Sequence, residues 1–297
     1  MTNAIIHGIS NADYHAISDR IGSSGLKELA RSPYHYWAKY VSPDRIIKPS
    51  TPAQIIGTAV HTAVLEPHLF DDQYTVLPEG IDRRTKEGKS LFAEIEASGK
   101  HPLKPDEMAR IRAMQESAHA NGLLYSLINH PHAEIESTIL FIDPETGAPC
   151  RIRPDFMILP CDEYPFGLLG DLKSTADASP AAFGKSVWSY GYHIQAALYR
   201  RGFMAAFGTS EPPDFFWPAI ENDAPHASVI YQAPAEALHY GDIRVTELLE
   251  LYNECRTNNH WPAYGETGEL TRPGYARREI ELAAGDMDIE IEYEESV

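Results

Sequence analysis

The chain has 297 residues, 43 % of them hydrophobic, with three cysteines and a formal charge of −18 at pH 7. That length buries a sizeable core as one large domain or two small ones. No apolar run approaches a membrane span and Met1 to Ser10 lacks a signal peptide's basic start and apolar centre, so a cytoplasmic protein with no membrane partner is expected. Cys150, Cys161 and Cys255 are few, scattered and odd in number, which points to reduced thiols rather than a disulfide framework.

Asn11 to Ile17 is polar and reads as irregular. Ser23-Ser24 can cap a helix running to about Tyr40, with Leu26, Leu29, Ala30, Tyr34 and Trp37 near helical spacing. Thr51-Pro52 is a second start signal, for a helix to about Leu65. Gly57 and His61 share one face of it, and the glycine permits close backbone approach. Asp71 to Pro78 reads as a short strand, Leu91 to Ala97 as helical, and Lys104 to Ile128 as one long amphipathic helix serving as scaffold. Ala133 to Ile142 alternates as a strand carrying Glu134 and Glu136, and Asp143 to Gly147 turns it into the next strand as a hairpin.

The stretch from Arg151 to Tyr199 carries the chemistry. Arg151 to Leu159 reads as one strand and Gly167 to Thr175 as a second beside it. Side chains alternate along a strand, so Asp171 and Lys173 share a face and Leu172 points away. If Asp155 lies beside them, two carboxylates and an ammonium converge. Hard divalent cations bind through one or two carboxylates and keep several waters, and such ions polarise phosphodiesters and activate water. Lys173 would orient or deprotonate that water. Glu87-Gly88-Lys89 repeats the acid-x-lysine spacing, but no apolar run surrounds it, which suits a solvated helix start. Pro-Asp also recurs at Pro43-Asp44, Pro105-Asp106 and Pro213-Asp214; only Pro154-Asp155 precedes two apolar runs ending in Asp-x-Lys. Glu136 is a candidate outer member of the acidic site, with an ordinary ion pair as its alternative.

Beyond this stretch, Ser179-Pro180 starts a helix through Trp188, and Tyr192 to Phe207 forms another, with Gln195, Tyr199 and Phe203 along one face. Phe215 to Ile220 and Ser228 to Gln232 read as strands, and Pro234 to Arg256 as a closing helix. This order fits an α/β domain with a mixed central sheet flanked by helices and an N-terminal helical region. One domain is expected over residues 1–270, with the helical part at about 11–130 and the core at about 131–264, followed by an acidic tail at 271–297.

Pro154-Asp155 and Asp171-Leu172-Lys173 resemble the two core motifs of the PD-(D/E)xK nuclease superfamily, whose core is restriction-endonuclease-like. Gln195 to Tyr199 resembles the Gln-x-x-x-Tyr motif of its RecB-like branch, and Gly57 to His61 the Gly-x-x-x-His motif that precedes the core. The four occur in the family's order, and the run from about Asn11 to Tyr264 looks most like the RecE (exonuclease VIII) group of phage and prophage exonucleases. The resemblance implies a Mg²⁺ site, with Mn²⁺ able to substitute, held by His61, Asp155, Asp171 and the backbone carbonyl of Leu172. It implies Lys173, with Asp155 and Asp171, as the catalytic set, and Gln195 and Tyr199 positioning DNA or supporting the site. It implies 5′→3′ digestion of linear double-stranded DNA from its ends, leaving 3′ overhangs for a RecT-type single-strand annealing partner, by a ring-like homo-oligomer (trimer or tetramer). Some relatives hold an iron–sulfur cluster through four cysteines; three cannot supply it, and none is expected.

Net charge argues against a DNA substrate, since phosphate-binding proteins usually carry a basic stripe. From Glu279 onward, however, the chain holds eight acidic residues and no basic one. Arg20, Lys27, Arg31, Lys39, Arg45 and Lys48 are candidates for a basic face, Arg83, Arg84, Lys86 and Lys89 form a second group, and Arg151 and Arg153 flank the core. Two alternatives stay open: an endonuclease or single-strand nuclease with the same ligands, and a non-catalytic DNA-end or protein-binding module on the same fold.

Overall fold

The structure is a computed structural model describing residues 3–46 and 50–265. The chain divides into Met1–Trp261 and Pro262–Val297. Lys48 and the expected acidic tail at 271–297 lie outside the described residues.

In chain order the elements are β1 (Ala4–Ile6), α1 (Asn11–Ala16), α2 (Ser23–Arg31), α3 (Pro33–Tyr36), α4 (Pro52–Leu65), α5 (Phe70–Gln73), β2 (Tyr74–Val76), α6 (Lys86–Ser98), β3 (His101–Leu103), α7 (Pro105–Ala120) and α8 (Gly122–Ile128). There follow β4 (Ala133–Ile135), β5 (Thr138–Ile142), β6 (Pro149–Ile152), β7 (Phe156–Ile158), β8 (Leu168–Gly170), β9 (Lys173–Thr175), α9 (Pro180–Ser189), α10 (Tyr192–Phe207), β10 (Asp214–Glu221), β11 (Ser228–Gln232) and α11 (Ala235–Asn258).

The main sheet runs β11-β10-β8-β7-β4, with β9 also paired to β10. It is mixed: β10 is parallel to β8 and β9, and the other neighbours are antiparallel. Alternation along each strand feeds two cores. Met157, Leu169, Phe215 and Trp217 pack on one face with α10 and α11, while Phe156, Ile158, Leu168 and Ile220 pack on the other with α4, α7 and α8. A second, three-stranded sheet, β1-β5-β6, lies beside α10.

Several expected boundaries move. The helix expected from Ser23 to Tyr40 breaks at Ser32, because Pro33 cannot donate and pushes the preceding residue out of helical geometry. Ser32 is extended at φ −170°, ψ 154°, and its hydroxyl accepts from the His35 amide, restarting the helix. The capping position of α2 is Gly22, which offers no side-chain cap, and the expected caps Ser23 and Ser24 lie inside its first turn. The helix expected from Lys104 to Ile128 breaks at Asn121, whose side chain accepts from the Leu124 amide. Asn11–Ala16 is helical, capped by Ser10. A helical turn occupies Phe70–Gln73, so the strand expected from Asp71 starts at Tyr74.

Two interruptions matter for the site. The strand expected over Ala133 to Ile142 breaks at Glu136, which takes φ 50°, and its halves belong to different sheets. The strand expected over Arg151 to Leu159 likewise breaks between Ile152 and Phe156, again changing sheets. Both breaks lie where the two sheets part, and the residues that turn there, Glu136 and Asp155, are the ones brought together.

Candidate active site

The last pairing of β7 with β8 is Phe156 to Gly170, so one step further Asp155 faces Asp171 across the strands. Strand β8 continues in register into β9, since Gly170 pairs with Phe216 and Lys173 with Ala219. Between them the Leu172 amide donates to Asp155 Oδ2 at 2.5 Å, which fixes that carboxylate at the break in the strand. The Leu172 side chain turns away into the core, with 1 % exposure.

Helix α4 is capped by Thr51, whose capping box with Gln54 sets its first turn. It carries His61 to Asp155, Nδ1 lying 3.3 Å from Oδ2. Donor atoms of His61, Glu136 and Asp155 all lie within 4.8 Å of one another. Glu136 is held there by Arg153, Nε to Oε2 at 2.8 Å. The open space beside Gly57 differs from the expected close approach: a Cβ there meets nothing within 4 Å.

Lys173 and Asp171 form a contact ion pair. Lys173 Nζ also donates to Gln195 Oε1 at 3.1 Å, and Gln195 Nε2 donates to Asp171 Oδ1 at 2.8 Å and to Tyr199 Oη at 3.1 Å. Gln195 and Tyr199 are 7 % and 5 % exposed and in this structure brace Asp171 and Lys173 from beneath.

Burial and mutual charge set the protonation of the cluster. Burial opposes charge on His61, but the Asp155 carboxylate outweighs it and carries the imidazole up to about 9. Burial likewise works to raise Asp155, and the His61 charge, with Lys173, overcomes it and holds the carboxyl below its ordinary range. Burial and then Asp155 push Glu136 up to about 8, against the pull of Arg153. Burial raises Asp171. Burial works to discharge Lys173, yet Asp171 and Asp155 keep its pKa above the usual lysine value, so it is an ammonium.

The expected basic residues divide. Arg20, Arg151 and Arg153 do not form a surface: Arg20 donates to the Phe141 carbonyl at 2.9 Å, Arg151 to the Tyr14 and Ile17 carbonyls, and Arg153 to the Ile9 carbonyl at 2.9 Å. These guanidiniums satisfy backbone carbonyls where the N-terminal segment crosses the second sheet. Lys39 pairs with Glu28 and Arg84 with Asp82, while Arg31, Arg45, Arg83, Lys86 and Lys89 are exposed. Among the described residues of the first group, Lys27 alone reaches the site, its Nζ 5.2 Å from the centroid of the Tyr192 ring. Burial, then the Lys173 charge, lowers its pKa to about 8. The same ring lies 4.4 Å from Lys173 Nζ. No sequence motif gives Tyr192 a role, although it precedes Gln195 by three residues on one helix, a spacing that places both toward the site.

A divalent cation fits this donor set on chemistry: one imidazole nitrogen and two carboxylates converge, with Asp171 opposite Asp155 as a further oxygen donor. No helix among the described residues is long and apolar enough to cross a membrane.

The chain belongs to the family described as PDDEXK-like domain of unknown function (DUF3799), whose model matches residues 22–273. Among solved structures, a protein from Eubacterium rectale described as "Putative exonuclease" superposes with a TM-score of 0.59 at 14 % identity, covering 90 % of this chain and 96 % of that one. At that identity the likeness shows a common fold. The structure of SSO0001 matches with a TM-score of 0.30 at 14 % identity, over 66 % of this chain and 86 % of that one, and carries no argument. No curated protein matches the chain.

Proposed function

We propose that this PDDEXK-like protein is a metal-dependent exodeoxyribonuclease that hydrolyses phosphodiester bonds from the ends of linear double-stranded DNA. The observation carrying the reading is the Lys173 ammonium, held between Asp171 and Gln195 at the edge of the His61, Glu136 and Asp155 cluster. His61, Asp155, Asp171 and the Leu172 carbonyl would hold Mg²⁺ or Mn²⁺, with Glu136 beside them. When bound, the cation supplies positive charge that polarises the phosphodiester and lowers the pKa of water. Lys173, kept protonated, donates hydrogen bonds to the phosphate oxygens or the attacking water and offsets charge developing on phosphorus. Gln195, fixed by Tyr199, holds Lys173 and Asp171 in a single arrangement.

The sequence resemblance to RecE-type exonucleases supports the finer reading: 5′→3′ digestion leaving 3′ overhangs, a ring-like homo-oligomer around DNA, and a RecT-type annealing partner. Matched linear and closed circular duplexes, incubated with Mg²⁺, test it. Nucleotide release from linear DNA alone, lost in Asp171→Ala and Lys173→Ala, is the expected result, and end-labelling then reads polarity. Nicking of circles makes the protein an endonuclease, and no cleavage with either metal makes it a binding module.

A further inference from the structure

Next to Lys173 the junction of α9 and α10 builds a ring-lined cleft. Tyr190 closes α9, Gly191 turns through φ 64°, ψ 36°, and Tyr192 opens α10. The turn sets the Tyr190 and Tyr192 rings 5.7 Å apart, and Phe183 follows at 6.3 Å from Tyr192. Tyr190 is 61 % exposed. These rings line a cleft of about 490 Å³, within the span of roughly 300–1,000 Å³ usual for ligand sites. Its lining starts at Ser174, directly after the active-site lysine, and includes Asn222. Among the described residues, neither the Ser174 hydroxyl nor the Asn222 side-chain amide has a hydrogen-bond partner. Among the described residues no lysine or arginine lines the cleft, and Asp177 is the one charged residue there.

That chemistry selects a flat, uncharged group over a phosphate. Aromatic faces stack on any base, while a free amide and hydroxyl can meet donors and acceptors on a base edge. Positive charge lies instead at the Tyr192 ring, 5.2 Å from Lys27 Nζ and 4.4 Å from Lys173 Nζ, where a phosphate would be met.

We propose that this cleft takes an unpaired nucleobase of the strand being cut, stacked on Tyr190 and Tyr192 while its phosphate faces Lys173; the assignment rests on the nuclease reading above. Direct stacking of a base beside the scissile phosphate would hold that nucleotide out of the duplex, leaving the bond accessible.

The test uses the full-length chain with Ca²⁺ in place of Mg²⁺ and single-stranded oligonucleotides carrying 2-aminopurine at successive positions, with a distant dye reporting binding. Stacking quenches 2-aminopurine at one position, Tyr190→Ala weakens binding roughly 5- to 150-fold and abolishes the quench, and Tyr190→Phe keeps both. Binding with no quench at any position, an undiminished affinity in Tyr190→Ala, or no binding at all overturns the proposal. A free 2-aminopurine mononucleotide quenched at the same concentration as the oligonucleotide also overturns it, since the cleft would then hold released product. Cleavage of linear DNA without quenching removes the subsite and spares the nuclease reading. Quenching by a protein that cleaves nothing keeps the subsite and removes the nuclease reading.

Discussion

Gln195 donates to Asp171 Oδ1 at 2.8 Å from the same side chain whose carbonyl accepts from Lys173 at 3.1 Å. One buried amide thus fixes both the acid and the lysine of the Asp-x-Lys pair. Its own orientation is set by the Tyr199 hydroxyl, one helical turn away.

Removing that brace should lower activity without dismantling the fold. Partners that orient metal-site ligands typically cost 10- to 100-fold in activity or metal affinity when lost, so Gln195→Ala should lose about that much. Tyr199→Phe should lose less, because Gln195 keeps its two bonds to Asp171 and Lys173. Steady-state cleavage of linear duplex beside circular dichroism separates lost alignment from lost folding.

The imidazole in the donor set should favour Mn²⁺ over Mg²⁺. Imidazole suits later divalent metals better than it suits Mg²⁺, which prefers oxygen. Calorimetric titration of the free protein should show tighter Mn²⁺ binding, and His61→Ala should narrow the gap between the two ions. An unchanged gap would remove His61 from the ligand set.

Stability without metal should fall as pH rises. The folded-state pKa of His61, about 9, stands above the ordinary 6.5, so its contribution is complete below pH 6.5 and lost as pH climbs through 9. Glu136, raised from 4.5 to about 8, acts in the same direction: its neutral form favours the fold, and that contribution fades between pH 4.5 and 8. In EDTA, Tm should therefore decline from pH 6.5 to pH 9. Added Mn²⁺ should recover more at the alkaline end, where protons no longer compete for the donor atoms. A Tm independent of pH in EDTA would contradict this charge assignment.

Gly170 should resist any side chain. A Cβ there would run into the Phe156 ring on the neighbouring strand, at the pair that sets Asp155 opposite Asp171. Overpacking of this kind costs about 1–3 kcal/mol, so Gly170→Ala should shift the denaturant midpoint by that amount, and a neutral result would mean the strands part freely.

The sequence was most informative where one element serves one core. Tyr192 to Phe207 and Ser228 to Gln232 have the boundaries that periodicity predicts, and Thr51-Pro52 opens its helix. Apolar alternation continues through Glu136 and through Pro154-Asp155, so it cannot register that the chain leaves one sheet and enters another. The turn at Glu136 needs φ 50° from a residue that rarely adopts it. Only contacts distant in sequence, Arg153 and the Asp155 loop, hold it there. Charge reading failed for a related reason. Arg20, Arg151 and Arg153 look like surface cations until the N-terminal segment crosses the second sheet, setting Arg20 against the Phe141 carbonyl and its own carbonyls at Ile9, Tyr14 and Ile17 against Arg153 and Arg151. Conversely, nothing in the sequence separates Lys27 from the other candidates for a basic face; the α9–α10 junction does so by setting Tyr192 beside it.

The most direct test of the account measures hydrolysis of a linear duplex by the wild-type chain and by Asp155→Asn, each with Mn²⁺ binding followed by calorimetry. Asp155 contacts His61 and the Leu172 amide and faces Asp171, so its loss should abolish both nucleotide release and tight Mn²⁺ binding while leaving the circular dichroism spectrum unchanged. Wild-type-like cleavage by a folded Asp155→Asn protein would place the chemistry elsewhere and contradict the account.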